Sequence, residues 1–139
     1  MICLEGKTIG LRNSELLIII PAYNESGNIE KTIKMIEEHT PEFDYVIIND
    51  CSTDQTLEIC RNNNFNVIDL PINLGIGGAV QTGYQYAVKN GYQYAVQVDG
   101  DGQHNPEFIR KMLQVLQEKN VNMVIGSRFI ENQGFQSSF

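Results

Sequence analysis

Leu16-Leu17-Ile18-Ile19-Ile20 is an unbroken apolar run closed by Pro21. A strand with one wet face alternates apolar and polar residues, so a continuous run reads as a strand buried on both faces. Such a strand needs a sheet with helices on either side, and the rest of the chain supplies the parts. Further strand patterns fall at 45–48, 66–70, 93–98 and 121–125. Ile29, Ile33 and Ile36 repeat at helical spacing, with Asn24 or Ser26 as the expected cap. A short helix is expected over 53–61, capped by Ser52 or Thr53. A turn containing Gly75, Gly77 and Gly78 leads into a helix reaching about Asn90. Pro106 opens a last helix, with Ile109, Met112, Leu113 and Leu116 on one face. Strand and helix alternate throughout, which predicts an α/β fold: a mostly parallel sheet joined by right-handed crossovers.

The pattern covers residues 15–139 as one domain, and residues 1–14 read as a poorly patterned tail. Seventeen acidic against ten basic residues give a net charge of −7, with no Lys/Arg cluster, which excludes nucleic acid as the main partner. Cys3, Cys51 and Cys60 are odd in number and lack CxxC spacing, so neither a disulfide framework nor a zinc site is indicated. A reducing, cytoplasmic setting is the plain expectation. There is no signal-peptide core, and no apolar run approaches the roughly 20 residues of a membrane span.

Ligands of open α/β sheets bind beyond the carboxyl ends of the strands. Four segments fall at such ends: 21–25, 50–54, 99–101 and 126–128. In Asp99-Gly100-Asp101 the glycine lets two carboxylates converge, and converging carboxylates call for a hard divalent cation. An EF-hand is excluded, because its sixth and twelfth positions would be His104 and Arg110. A phosphatase-type pair would end the first strand, whereas this one ends the fourth. The other residues each fit two roles. Asp50 suits a helix cap or an acceptor for a nucleobase edge, and Glu25 a helix-dipole partner or a ligand contact. His104 fits a metal ligand or a solvated loop, and Arg128 a diphosphate contact or a loop ion pair. The glycines at 75, 77 and 78 suit phosphate approach or close helix packing; they do not form GxGxxG, since residue 80 is Val80.

Taken together, five segments resemble the nucleotide-sugar half of a family 2 glycosyltransferase with the GT-A fold, a Rossmann-like α/β/α sandwich. They are Ile20-Pro21-Ala22-Tyr23-Asn24-Glu25, then Ile48-Asn49-Asp50-Cys51-Ser52-Thr53-Asp54-Gln55-Thr56, then the stretch from Asn73-Leu74-Gly75 to Gly83. Asp99-Gly100-Asp101-Gly102-Gln103-His104-Asn105-Pro106 and Gly126-Ser127-Arg128-Phe129 complete the set. The last two are most similar to the dolichyl- or polyprenyl-phosphate sugar synthase branch.

The resemblance implies that Pro21, Tyr23 and Glu25 shape the nucleotide pocket. It implies that Asp50 holds the base, Asp99 the ribose or metal, and Arg128 the diphosphate. Asp101 becomes the main ligand of Mn²⁺ or Mg²⁺, helped by Asp99 and Gln103. The implied activity is inverting transfer of a sugar from a UDP-sugar or GDP-sugar to a lipid phosphate or a glycan, in cell-wall or polysaccharide synthesis. It would take place in the cytoplasm, at the inner face of the membrane in a longer protein. The acceptor portion and its general base are expected beyond Phe139, and the alternative is a fragment that binds donor without transferring it. One departure stands out: the family usually has Asp-Asp-Gly-Ser where this chain has Asn49-Asp50-Cys51-Ser52.

Overall fold

The computed structural model describes residues 1–3, 14–100 and 105–126. In chain order the elements are β1 (Ile2–Cys3), β2 (Leu16–Ala22), α1 (Ile29–His39), β3 (Asp44–Asn49) and α2 (Thr56–Asn62). They continue with β4 (Val67–Asp69), α3 (Gly75–Lys89), β5 (Tyr94–Gln97) and α4 (Glu107–Lys119).

The strands form one five-stranded sheet in the order β1-β5-β2-β3-β4. Strands β2 to β5 are parallel, with Ile18 opposite Tyr45 and Val96, and Ile48 opposite Ile68. The apolar run is the centre of this sheet. Leu16, Ile18 and Ile20 face one core, shared with Ile29, Ile33 and Ile36 of α1, Cys60 of α2, and Ile109, Leu113 and Leu116 of α4. Leu17 and Ile19 face a second core with Val46, Ile48 and Ala95, covered by Ala79 and Ala87 of α3. The period of two along β2 is thus intact, and both of its faces are dry. Burying each such isoleucine contributes about 2 kcal/mol.

From β2 the chain steps outward to β3 and β4, then α3 carries it back across the sheet to β5 on the other side of β2. The strand order reverses between β2 and β5. That switch point leaves a crevice at the carboxyl ends, where ligands of such sheets bind.

Several local expectations need correction. Residues 121–125 do not form a fifth strand. They follow Asn120, which ends α4 in the left-handed conformation, and among the described residues their one strand-like pairing is with Met1, through Met1 N–H to Val124 O at 3.0 Å and Val124 N–H to Met1 O at 3.2 Å. A strand extends only as far as a neighbour supplies partners, and here the neighbour is a single residue. Residues Ile2 and Cys3, within the segment expected to lack pattern, pair antiparallel with Ala95 and Tyr94. The glycine-rich turn is helical, since α3 begins at Gly75 itself. Neither Asn24 nor Ser26 caps α1, and neither Ser52 nor Thr53 caps α2; the cap positions are Asn28 and Gln55, neither of which makes a side-chain capping bond. The polar side chains expected as caps are used between loops instead. No helix among the described residues is long and apolar enough to cross a membrane.

Candidate active site

The ends of β2, β3 and β5 enclose an open cleft of ≈ 260 Å³, lined by Pro21, Ala22, Tyr23, Glu25, Asp50, Ile76, Ala79, Asp99 and Gly100. Five residues expected from sequence at the nucleotide, Pro21, Tyr23, Glu25, Asp50 and Asp99, therefore share one wall system. Asp101, Gln103, His104 and Arg128 lie outside the described residues.

Two loops build the cleft's rim, and they are fastened to each other. Asn24, at φ +56°, accepts from Thr53 N–H at 2.8 Å and Asp54 N–H at 3.3 Å through Oδ1, while its own N–H donates to Ser52 Oγ at 3.0 Å. Glu25 N–H donates to Thr56 Oγ1 at 2.8 Å, and Ser26 N–H donates to Asp54 Oδ2 at 3.1 Å. Thr56 is fully buried and donates to Asp54 Oδ1 at 2.5 Å. Burial acts to raise the Asp54 pKa, but the hydrogen bonds from Thr56 and Ser26 outweigh it and hold the carboxyl at about 2. Asp54 is thus a carboxylate that ties the loop holding Glu25 to the loop holding Asp50. From sequence, Asp54 and Thr56 carry no role of their own, and Asn24, Ser26, Ser52 and Thr53 only that of helix caps.

Asp50 is 3% exposed. Its Oδ1 accepts Leu74 N–H at 2.7 Å, and its carbonyl accepts Asn73 Nδ2–H at 3.2 Å. Oδ2 has no donor among the described residues. Gly75 N–H bonds Asn73 Oδ1 at 3.0 Å, and Gly75 has φ +74°, which lets the loop turn directly into α3. This places Ile76 and Ala79 in the cleft wall. Tyr23, 48% exposed, is also part of the lining.

The departure at 49–51 has a physical account. Asn49 is buried, and its Nδ2–H donates to Asp69 Oδ1 at 2.8 Å. An aspartate there would set two carboxylates against each other. The cost is an orphan: Asn49 Oδ1 has no partner among the described residues. Cys51 adopts φ +56°, so the backbone keeps the left-handed turn that glycine would make without strain.

After β5, Val98 N–H still bonds Ile19 O at 2.9 Å, and Gln97 Nε2–H donates to Asp99 Oδ1 at 3.0 Å. Gly100 is gripped from two sides. Its carbonyl accepts Thr32 Oγ1–H at 2.9 Å, and a Cβ at this position would lie 3.2 Å from Pro21 O. Thr32 was not anticipated, although a hydroxyl inside the Ile29, Ile33, Ile36 stripe was the available signal.

Among the described residues, no group of three His, Cys, Asp or Glu side chains converges as a metal site. The cleft does have the chemistry of a cation-assisted one. Its described lining holds three carboxylates, Glu25, Asp50 and Asp99, and no Lys or Arg. A diphosphate entering this wall needs a positive charge between, and oxygen donors suit Mn²⁺ or Mg²⁺.

A parallel sheet with its cleft at a switch point is a Rossmann-like α/β architecture, and its likeness to solved structures is to glycosyltransferases of the GT-A fold. The chain belongs to glycosyl transferase family 2, whose model matches residues 17–138. It is 32% identical over 139 aligned positions to a UDP-N-acetylglucosamine--dolichyl-phosphate N-acetylglucosaminyltransferase of Methanococcus voltae, covering 88% of this chain and 55% of that protein. It is 30% identical over 118 residues to an undecaprenyl-phosphate mannosyltransferase of Micrococcus luteus, covering 81% of this chain and 48% of that protein. The fold matches the mannosyltransferase PcManGT of Pyrobaculum calidifontis, solved with GDP-Man and Mn²⁺, at a TM-score of 0.61 and 19% identity, over 79% of this chain and 36% of that one. The chain spans about half the length of these two curated relatives.

Proposed function

We propose that this chain forms the donor half of a metal-dependent, inverting glycosyltransferase that takes its sugar from a nucleoside-diphosphate sugar and passes it to a polyprenyl phosphate. The observation carrying this reading is that Pro21, Tyr23, Glu25, Asp50 and Asp99 line one cleft. Both curated relatives have a polyprenyl phosphate in their names, which supports the acceptor class.

Asp50 receives the base, Tyr23 offers a flat ring beside it, and Glu25 closes the rim. Asp99 meets the ribose or the cation. Asp101 and Gln103 are the cation's further ligands, and Arg128 faces the diphosphate. A divalent cation held there would supply positive charge against the diphosphate leaving group, a contribution of several kcal/mol. A hydroxyl acceptor needs a general base, whereas a lipid phosphate is already an anion at neutral pH. The residues in hand therefore suffice for the donor side. The setting is the cytoplasmic face of a membrane, where a lipid acceptor and a soluble donor meet.

The base follows from Asp50. Asp50 lines the cleft, and with Oδ1 taken by Leu74 N–H its Oδ2 is the oxygen without a donor among the described residues. Uracil presents a single N–H, while guanine presents two donors side by side that suit two free oxygens. Uridine is therefore the preferred base.

Calorimetric titration with UDP and GDP, each with Mn²⁺ and with chelator, tests this. UDP binding that requires Mn²⁺ and exceeds GDP binding supports the reading. Binding of neither by the folded chain refutes the donor site, and a preference for GDP refutes the base assignment.

A further inference from the structure

From Leu70 to Val88 the chain carries no charged residue, although Asp, Glu, Lys and Arg make up 19% of the whole. The start of this stretch is turned outward. Ile72 is 61% exposed, Leu74 48% and Ile76 65%, and Ile76 belongs to neither core. A single exposed aliphatic is ordinary, but three within five residues, one of them lining a cleft, make a surface suited to an apolar ligand group. The neighbours of Ile76 leave such a group room. A Cβ at Gly75 or at Gly77 would meet nothing within 4 Å, so the backbone on either side of Ile76 is open.

The topology narrows what that group is. Tyr23 follows β2, Asp50 follows β3, and Ile76 sits in the helix that follows β4, with β3 between β2 and β4 in the sheet. Asp50 therefore comes from the middle strand end of the three, and all three residues line the cleft. Leu74 N–H, two residues before Ile76, holds Asp50 Oδ1 at 2.7 Å, which ties the acidic and the apolar parts of this wall together. A planar heterocycle uses both parts: an acceptor for its N–H edge and apolar surface for its face.

We infer that Ile76 is a binding residue for the nucleobase, supplying aliphatic surface to one face of the ring whose edge Asp50 holds. This rests on the donor-site reading above and extends it to a residue that reading leaves without a role. A ring laid against Ile76 takes that side chain out of water, and the gain scales with the area covered. The contact has neither charge nor hydrogen bond, so it acts on the base and on nothing else in the donor.

Uridine, which carries a base and no phosphate, is the probe, titrated without metal and followed by NMR shift changes. Ile76→Ala removes most of the aliphatic surface, and Ile76→Leu keeps it. Both substitutes are good helix formers at an exposed position, so the fold is not at risk. Ile76→Ala is expected to weaken uridine binding by about three- to tenfold, the scale of losing part of one aliphatic side chain's burial. Ile76→Leu retains most of the affinity, and the thermal midpoints of the three proteins coincide. Unchanged uridine binding in Ile76→Ala overturns the inference. An equal loss in both variants, or a loss matched by a lowered midpoint, assigns Ile76 a structural role and also overturns it. If the unmodified chain does not bind uridine, it is the donor-site reading that falls, and the inference with it.

Discussion

Gly83 of α3 lies so close to Ile19 of β2 that a methyl carbon on the glycine would overlap Ile19 Cγ2. Ile19 is fully buried at the sheet's centre, so it has nowhere to retreat. Gly83→Ala gains about 1 kcal/mol of helix propensity. It also forces α3 off the sheet, an overpacking cost of about 1–3 kcal/mol. The overlap decides the sign. The variant is expected to unfold at lower urea concentration with an unchanged slope, and an unchanged midpoint would show that α3 sits farther out.

Cys51 at φ +56° bears a left-handed backbone that a side chain resists. Cys51→Gly relieves about 1 kcal/mol of strain and loses part of it to the freer unfolded chain, for a net gain of about 0.5 kcal/mol. Thermal unfolding reads this as a raised midpoint. A lowered midpoint would mean that the Sγ contact with Pro71 O, 3.9 Å away, outweighs the strain.

Asp54 makes the loop clasp sensitive to acid. Its folded pKa of about 2 lies below the ordinary 3.8, so its stabilisation is complete above pH 3.8 and disappears as the pH falls through about 2. Asp54→Asn is expected to remove that acid limb, flattening stability against pH over this window. Parallel curves for the two proteins would contradict the clasp.

Asp50→Ala deletes the acceptor proposed for the base. UDP affinity is expected to fall by about 10–100-fold, the weight of a hydrogen bond to a charged group, while the remaining binding still requires Mn²⁺. Calorimetry with and without chelator checks both parts.

Asp101→Asn should do the reverse. Binding of UDP loses its Mn²⁺ dependence while the far-ultraviolet circular dichroism spectrum stays unchanged. Retained dependence would move the cation's main ligand elsewhere.

The central strand, the parallel order and the apolar faces of α1 and α4 were legible because burial imposes a period on sequence. The Leu16–Ile20 run and the Ile29, Ile33, Ile36 spacing report their surroundings directly. Residues 121–125 misled because an apolar alternation states a willingness to pair, not whether a neighbour is present. Asn24, Ser26 and Ser52 misled differently. Their side chains bond across loops that are distant in sequence, and a cap is only the nearest of the uses open to them. Pro21, Tyr23, Glu25, Asp50 and Asp99 could be named because they sit at strand ends, which the topology gathers at one edge. Thr32 could not, since its partner lies 68 residues away.

The pairing of β2 with β5, in which Leu16 lies opposite Tyr94, also sets a schedule. Tyr23 and Asp50 leave the ribosome long before Asp99, yet the cleft has no second wall until β5 docks beside β2. A nascent chain that stops short of this strand lacks the Asp99 and Gly100 wall of the cleft. Until then the most apolar segment of the molecule has one open edge, so the interval between synthesis of β2 and β5 is when the chain is most exposed to aggregation.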